Sequence, residues 1–297
     1  MSSTIERLTT RDTLIGENLP IRRALPNKVR RMIGAWCFLD HAGPVTVQSH
    51  KEFRVGPHPH IGLQTFTWMI EGEILHRDSL GYEQVLRPGQ VNLMTAGNGI
   101  AHSEESLPMS GPTRLHMAQL WIALPDSHRH GPAAFQHYPD LPVLQQGGFT
   151  LTVLAGEMFG HISPVQVYSP MLGLDLACKG EANTQLTLNP LFEHGVLVLD
   201  GQVTIEGESL ESGTLLYLGA DRTHVSIQTL TNARVLLLGG EPFNEKVLLW
   251  WNFVARDQAE IIQATDDWNN STRFGEVKGY AGERLVAPSV ADLHLRK

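Results

Sequence analysis

Two short strings of metal-binding residue types constrain the fold of this chain more than any other feature. The first is His58-Pro59-His60, and the second runs from His102 to Glu104. Side chains alternate between the two faces of a β-strand, so residues two apart point the same way. His58 therefore shares a face with His60, and His102 shares one with Glu104. If the two segments lie together inside one barrel, three imidazoles and one carboxylate converge, which is the ligand set of a mononuclear non-haem iron site or of a related divalent metal.

Short apolar runs separated by turn residues predict an all-β protein. The chain contains 28 Gly and 17 Pro, and they punctuate strand-sized segments such as Leu63–Ile70. In that segment one alternating set has the same parity as His58 and His60. We expect this set to line the barrel interior, with its aromatic members walling the metal pocket. Its members are Gln64, Phe66, Trp68 and Ile70.

The string Ala96–Gly99 is a glycine-rich bend that leads into His102. Glycines are expected there because the backbone must take positive φ close to a ligand cavity. Further along, Arg114–Leu124 is a predicted strand with Gln119 and Trp121 on one face.

Four other histidines are interpreted as structural or solvated rather than as metal ligands. His41 falls in a predicted turn over residues 40–44, where no second ligand stands at strand spacing. His128, His130 and His137 fall in the polar, Pro-rich stretch 125–142, which is the best linker candidate. A loop alone fixes no ligand geometry, so solvated loop histidines are favoured there over a second metal site.

The second half repeats the rhythm of strands and turns, which indicates a duplication. Gly201 follows a strand much as Gly72 does, and the alignment of these two glycines relates the halves. On that alignment Thr187 and Asn189 occupy the positions of His58 and His60, while His224 falls near the place of His102. A lone histidine is usually structural, so we expect a second barrel without metal.

A length of 297 residues predicts two domains. We place the boundary in the linker, with an N-terminal barrel and the metal site in residues 1–135. Residues 136–297 form a C-terminal barrel without metal and a C-terminal helix. The period of two is lost from Asn244 to Asp267, where the apolar spacing predicts that helix, packed on the barrels.

Composition excludes several functional classes. The net charge of −8 argues against direct nucleic-acid binding, which needs a basic footprint. No apolar run approaches the length of a membrane span, and residues 1–7 have no signal-peptide core. Only Cys37 and Cys178 are present, so a disulfide framework is not expected and a cytoplasmic location is favoured.

An ordered set of further motifs surrounds the two metal-binding strings. They are Glu71-Gly72-Glu73, His76-Arg77-Asp78-Ser79-Leu80-Gly81, Arg87-Pro88-Gly89, Met94-Thr95-Ala96-Gly97-Asn98-Gly99-Ile100 and Tyr168-Ser169-Pro170-Met171. With these motifs, nearly the whole chain resembles the pirin family of the cupin superfamily. The resemblance implies two stacked cupin (jelly-roll) β-barrels and one metal, Fe²⁺ ahead of other transition metals, in the N-terminal barrel. By matching position, its ligands would be His58, His60, His102 and Glu104, and the protein would be a monomer.

One residue departs from the general cupin pattern, which places a Glu four residues after the second His. This chain has Gln64 there. The ligand arrangement with Glu104 as carboxylate survives the change. An acid–base role at position 64 is put in doubt, because Gln has no titrating proton.

The resemblance implies an enzyme first. Several pirins act as quercetin 2,3-dioxygenases, opening a flavonol ring with O₂ and releasing carbon monoxide. Glu104 would then be both a metal ligand and the catalytic base that accepts the flavonol hydroxyl proton. The alternative is an iron-binding regulator that contacts a protein partner such as a transcription factor or a metabolic enzyme. A third hypothesis is a metal that only stabilises the barrel.

Overall fold

The computed structural model describes residues 5–16, 19–48, 53–108 and 111–291. Within these ranges the chain is almost entirely antiparallel β-sheet with a single α-helix near the C-terminus, which confirms the all-β prediction. The strands are β1 (Glu6–Thr9), β2 (Arg11–Ile15), β3 (Leu19–Leu25), β4 (Trp36–Val47), β5 (Arg54–His60), β6 (Leu63–Glu71), β7 (Ile74–Asp78), β8 (Glu83–Leu86), β9 (Val91–Thr95), β10 (Ile100–Ser106), β11 (Thr113–Ala123), β12 (Ala134–Tyr138) and β13 (Val143–Gln146). They continue with β14 (Phe149–Ala155), β15 (Glu157–Met158), β16 (His161–Ile162), β17 (Met171–Cys178), β18 (Ala182–Thr187), β19 (Glu193–Asp200), β20 (Gln202–Ile205), β21 (Glu208–Glu211), β22 (Thr214–Gly219), β23 (His224–Thr229), β24 (Ala233–Gly240), β25 (Leu248–Trp250) and β26 (Phe253–Ala255), before helix α1 (Gln258–Asn270).

The N-terminal barrel pairs a four-stranded sheet with a longer one. The four-stranded sheet has the order β5-β10-β7-β8, and the longer sheet has the order β12-β9-β6-β11-β4-β3-β2. Apolar side chains from both sheets meet in one core, among them Val55, Met69, Ile74, Leu86 and Met117. Burial of this kind is the main favourable contribution to folding, about 25 cal/mol per Å² of apolar surface.

The C-terminal barrel repeats this plan. Its four-stranded sheet has the order β18-β23-β20-β21, and its longer sheet has the order β1-β22-β19-β24-β17-β14-β13. Strand for strand, β5-β10-β7-β8 corresponds to β18-β23-β20-β21, and β9-β6-β11-β4 corresponds to β22-β19-β24-β17. The shared order indicates the duplication that the glycine spacing predicted.

Strand pairing corrects the predicted alignment of the two halves by one residue. His58 lies opposite His102 in the N-terminal barrel, whereas Leu186 lies opposite Val225 in the C-terminal barrel. Both Thr187 and Asn189 are exposed. The prediction was wrong because the segment from Leu186 to Gly201 is one residue longer than the segment from His58 to Gly72.

With the corrected register, aliphatic residues stand at the metal-binding positions of the second barrel. His76 pairs with Glu104, and the corresponding pair is Ile205 with Ile227. Leu188, whose N–H donates to the Thr223 carbonyl, takes the place of His60. The residues at all five positions lie in the apolar core of the C-terminal barrel: Leu186, Leu188, Val225, Ile205 and Ile227. The interior of this barrel therefore offers no donor atoms there.

The chain divides into two compact units that are not continuous in sequence. One consists of Leu14–Ile21, Ala42–Pro139 and Asn244–Lys297, and the other of Met1–Thr13, Arg22–His41 and Asp140–Phe243. The units differ from the predicted division after residue 135 in two ways: the C-terminal segment groups with the N-terminal barrel, and Met1–Thr13 and Arg22–His41 group with the C-terminal barrel. The predicted boundary after residue 135 remains a prediction of where independently folding domains would meet in the sequence.

The C-terminal segment is only partly helical. Where a helix was predicted from Asn244, the short strands β25 and β26 form a hairpin instead, and the helix starts at Gln258 after the N-cap Asp257. Trp251 takes positive φ at the turn, which a continuous helix would not allow. Ile261, Ala264 and Trp268 pack with residues of the N-terminal barrel. No helix in the described part of the chain has the length and apolar character needed to cross a membrane.

Candidate metal centre

Antiparallel pairing of β5 with β10 brings three imidazoles together inside the N-terminal barrel. The ring centroids of His58 and His102 are 4.4 Å apart, and each lies 5.0 Å from that of His60. The Nε2 atoms of His60 and His102 are 3.1 Å apart. All three side chains are buried. The structure therefore brings together the three histidines that we expected to converge if the two segments lay in one barrel.

Backbone carbonyls fix the tautomers of two of the three histidines. His58 Nδ1 lies 2.9 Å from the Gly56 carbonyl oxygen, and His60 Nδ1 lies 2.9 Å from that of Asn252. A carbonyl oxygen can only accept, so each Nδ1 carries the hydrogen and donates it. The Nε2 lone pairs are thereby left to face the cluster, as is usual for metal-binding histidines.

Burial keeps these imidazoles neutral. It lowers the pKa of His58 to about 4, with a smaller contribution from the neighbouring His76. It also lowers the pKa of His60 and His102 well below their usual value, and repulsion between neighbouring imidazoles, were they protonated, lowers it further. Neutral imidazole is the form that binds a metal.

Glu104 is buried beside this cluster. Its carboxylate lies within 4.8 Å of ligand atoms of His76 and His102, a group that overlaps with the His58–His60–His102 group through His102. Burial raises the pKa of Glu104 to about 7, and a hydrogen bond from Thr67 opposes this rise. Among the residues that the structure describes, these two groups are the clusters of three or more potential ligands.

His76 and Asp78 are buried neighbours of the site that the sequence interpretation did not include among the candidates. His76 Nε2 lies 3.1 Å from Asp78 Oδ2, and its Nδ1 lies 3.4 Å from His102 Nδ1. The ring of His76 stacks on Phe135 at a centroid distance of 4.4 Å. The signal was present in the sequence, because His76 and Asp78 have the same strand spacing as His58 and His60.

The pocket wall differs from the predicted one. Trp121 packs edge-on against His60 at 5.1 Å, and Thr67 hydrogen-bonds to Gln119 on the same face. The interior set of β6 is therefore Thr65, Thr67 and Met69, and the set predicted to line the interior lies on the opposite face. Parity is lost between the two strands because the chain turns at Gly62, whose φ is +68°. The residues that were predicted to line the interior but face away from it are Gln64, Phe66, Trp68 and Ile70.

Gln64 is buried, and its amide nitrogen donates to the Thr95 hydroxyl at 3.0 Å. This interaction bridges two strands of the longer sheet. The structure gives Gln64 a hydrogen-bonding role between strands, consistent with a residue that does not titrate.

The glycine-rich bend before His102 has the expected backbone. Gly97 and Gly99 have φ values of +52° and +149°. A Cβ atom on Gly99 would lie 3.1 Å from the ring of Phe274, and Arg273 donates to the Asn98 carbonyl oxygen at 2.7 Å. The C-terminal segment thus holds the bend that leads into the ligand strand.

The five other histidines that the sequence analysis considered lie outside both donor groups. His41 is buried within β4, which continues through the predicted turn. His128 and His130 lie in a turn. His137 belongs to strand β12 rather than to a loop, and its Nδ1 lies 2.8 Å from Asn92 Oδ1. His224 is exposed on β23.

The donor set fits a transition-metal ion. His60 Nε2 presents a lone pair to His102 Nε2 at 3.1 Å. Adjacent ligands of an octahedral ion with metal–nitrogen bonds of about 2.1 Å are separated by about 3 Å, so a cation between these atoms is sterically accommodated. Neutral imidazoles with a nearby carboxylate suit iron, nickel, copper or zinc better than magnesium or calcium.

Comparison with known proteins identifies the family. The sequence profile of the Pirin family matches residues 18–122, and that of the Pirin C-terminal cupin domain matches residues 173–275. A Pseudomonas aeruginosa protein provisionally named quercetin 2,3-dioxygenase is 52% identical over 96% of this chain and 90% of its own length. The chain belongs to the pirin family. The two-barrel fold is accordingly a bicupin.

Solved structures support the same assignment for this pirin. A crystal structure of quercetin 2,3-dioxygenase from Acinetobacter baumannii has a TM-score of 0.94 and 49% identity, and the match covers 99% of this chain and 98% of that one. The pirin YhhW from Escherichia coli, solved in complex with nickel(II), shares the fold with a TM-score of 0.64. It is 22% identical, over 80% of this chain and all of YhhW.

Proposed function

We propose that this pirin is a metal-dependent dioxygenase of the quercetin 2,3-dioxygenase type, which opens the ring of a flavonol with O₂ and releases carbon monoxide. The observation that carries the proposal is the buried cluster of three imidazoles with Nε2 atoms facing inward and Glu104 beside it. The names of the Pseudomonas and Acinetobacter relatives support the substrate class.

His58, His60, His102 and Glu104 are the proposed ligands of one divalent ion, with Fe²⁺ as the first candidate. When bound, the ion would supply Lewis acidity toward a flavonol oxygen and a redox centre for O₂. The nickel(II) complex of YhhW supports a site that accepts more than one transition metal. The Irving–Williams order also favours nickel over iron at equal availability, so the metal in vivo depends on supply.

The protein's own side chains would position the substrate and move its proton. Trp121 packs edge-on against His60, and Phe135 stacks on His76; we propose that these rings form the apolar wall beside which a planar aromatic substrate would bind. We propose that a Glu104 carboxylate oxygen accepts the flavonol hydroxyl proton, since Glu104 is the acidic member of the His76–His102–Glu104 group. Burial of the cluster limits the access of bulk water to the reacting atoms.

The test is flavonol consumption under air by iron-loaded protein, with metal-free protein as the control. We expect turnover that depends on metal and O₂, with carbon monoxide formed in proportion to the flavonol consumed. Metal-loaded protein that consumes no flavonol across a panel would overturn the enzyme proposal. The iron-binding regulator would then be the stronger hypothesis, and affinity capture from host lysate would test it.

A further inference from the structure

The tautomer of His102 is not fixed by a backbone carbonyl, unlike those of His58 and His60. Its Nδ1 faces Nδ1 of His76 at 3.4 Å. An imidazole nitrogen can donate or accept, so this contact alone allows two arrangements. In one of them His102 carries its hydrogen on Nδ1 and leaves Nε2 free for a metal. In the other the hydrogen is on Nε2, which then donates to His60 Nε2 at 3.1 Å and occupies the site.

Asp78 selects between the two arrangements. Its Oδ2 lies 3.1 Å from His76 Nε2, and a carboxylate can only accept. A neutral His76 therefore carries its hydrogen on Nε2, which leaves a lone pair on Nδ1. That lone pair accepts the Nδ1–H of His102, and His102 Nε2 is left to face the metal site.

The selecting pair is held rigidly. Asp78 Oδ1 accepts the backbone N–H of Leu80 at 2.9 Å and of Tyr82 at 3.1 Å, so the carboxylate cannot rotate without losing both bonds. His76 is stacked on Phe135 with an interplanar angle of 14°. Both side chains are nearly inaccessible to solvent.

The C-terminal barrel provides an internal comparison. Ile205 stands at the position of His76, in the same barrel where aliphatic residues replace the histidines of the cluster. The polar pair is thus present in the barrel with the donor cluster, and the barrel without that cluster has an aliphatic residue at the His76 position. A purely structural need of the fold for His76 would apply to both barrels.

We propose that Asp78, acting through His76, sets the tautomer of His102 and so makes it competent to bind the metal. His76 and Asp78 are positioning residues rather than ligands. This inference rests on the proposed metal site. Outer-shell partners of metal-bound histidines typically change metal affinity 10–100-fold when they are removed.

The decisive variant is Asp78→Asn. Its amide can keep the oxygen toward the N–H groups of Leu80 and Tyr82 while presenting NH₂ to His76. His76 must then accept on Nε2 and donate from Nδ1, which forces His102 into the incompetent tautomer. We expect nickel(II) affinity, measured by chelator competition on the full-length protein, to fall 10–100-fold. In a His76→Ile background the relay is absent, so Asp78→Asn should cause no further loss.

Two further measurements separate this role from a structural one. In long-range ¹H–¹⁵N spectra of the metal-free full-length protein, labelled on histidine, His102 should carry its hydrogen on Nδ1 in wild type and on Nε2 in Asp78→Asn. Asp175→Asn, which alters a buried carboxylate paired with Arg234 in the other barrel, is the matched control and should bind nickel as wild type does.

Wild-type nickel affinity in Asp78→Asn, or an unchanged His102 tautomer, would overturn the relay while leaving the metal site in place. Absence of nickel binding by wild type would overturn the metal site and the relay together. The two failures are therefore distinguishable, and neither depends on flavonol turnover.

Discussion

Leu186 holds in the C-terminal barrel the strand position that His58 holds in the N-terminal barrel. Leu186 lies directly opposite Val225, just as His58 lies directly opposite His102. The same backbone framework thus encloses donor atoms in one repeat and an aliphatic core in the other. The difference between the repeats makes the metal content of the chain a direct test of the assignment.

We expect purified protein to contain about one equivalent of transition metal per chain, since one complete donor cluster holds one ion. The aliphatic residues at the matching positions of the second barrel provide no alternative ligands. Elemental analysis of protein loaded with iron and then desalted would measure this. A value near two equivalents would contradict the expectation.

His102→Ala should remove most of the bound metal and leave the fold largely intact. Both barrels have large apolar cores, so the ion is not the main source of stability, unlike in small metal-folded domains. Metal content and circular dichroism would be measured on the same samples. His224→Ala, which changes an exposed histidine on the corresponding strand of the other repeat, is the control and should keep its metal. An unfolded His102→Ala variant would instead favour a structural role for the ion.

Glu104→Gln distinguishes a ligand from a catalytic base. The substitution keeps the size of the side chain and one oxygen, and removes the negative charge and the capacity to accept a proton. If Glu104 takes the substrate proton, flavonol turnover per bound iron should fall by roughly 10²–10⁴-fold. Glu105→Gln is the matched control, because the carboxylate of Glu105 pairs with Arg77 instead. Equal turnover per bound iron in wild type and Glu104→Gln would leave Glu104 as a ligand alone.

Gly99→Ala should weaken metal binding by displacing the bend before His102. Its φ of +149° is a region that essentially only glycine occupies, at a cost on the order of 1–3 kcal/mol for other residues, and the added Cβ would press on the Phe274 ring. Gly89→Ala is the control, since Gly89 has φ of +81° and open space around it. We expect a lower thermal midpoint for both variants, a larger decrease for Gly99→Ala, and weaker nickel binding for Gly99→Ala alone. Equal nickel affinity in the two variants would show that the bend does not position His102.

His194 should make the protein less stable in mild acid. Burial lowers its pKa to about 4, and the positive charge of the nearby Arg222 lowers it further. A histidine whose pKa is lower in the folded than in the unfolded protein leaves the free energy of unfolding undiminished above the unfolded pKa. As the pH falls from that value toward the folded pKa, the unfolded chain takes up a proton that the folded protein does not, and the free energy of unfolding decreases. Between pH 7 and pH 5 the loss is on the order of 2 kcal/mol.

The effect of His194 can be isolated by substitution. His194→Leu cannot be protonated, so its free energy of unfolding should fall less than that of wild type between pH 7 and pH 5. His224→Leu, at an exposed position, should follow the wild-type pH dependence. Parallel pH profiles for wild type and His194→Leu would show that His194 does not contribute.

The sequence predicted which segments carry the residues of the site better than it predicted which face of each strand those residues occupy. Alternation within a single strand was sufficient to place His58 and His60 on one face of β5, whereas their meeting with His102 depends on the pairing of β5 with β10. The same argument failed when it was carried across the Gly62 turn into β6, since a residue with positive φ redirects the chain and resets the parity. Alignment of the repeats by Gly72 and Gly201 failed by one residue, because the segment from Leu186 to Gly201 is one residue longer than that from His58 to Gly72.

Long-range contacts were beyond the sequence pattern. Asp78 and His76 have strand spacing, but their relation to His102 depends on the pairing of β7 with β10. The apolar spacing after Asn244 indicated a helix, whereas its first part forms β25 and β26. There the amphipathic period competes with a turn at Trp251 and with the packing of Phe253 against Ile61.

The carbonyl of Asn252 that orients His60 has a consequence for the order of events during synthesis. Asn252 lies in the hairpin between β25 and β26, whereas His60 lies near the beginning of the chain. While the ribosome is still translating the second repeat, the first repeat has its histidines but not the acceptor that sets the ring of His60. We therefore expect high-affinity metal capture to begin only after residue 252 has emerged from the ribosome.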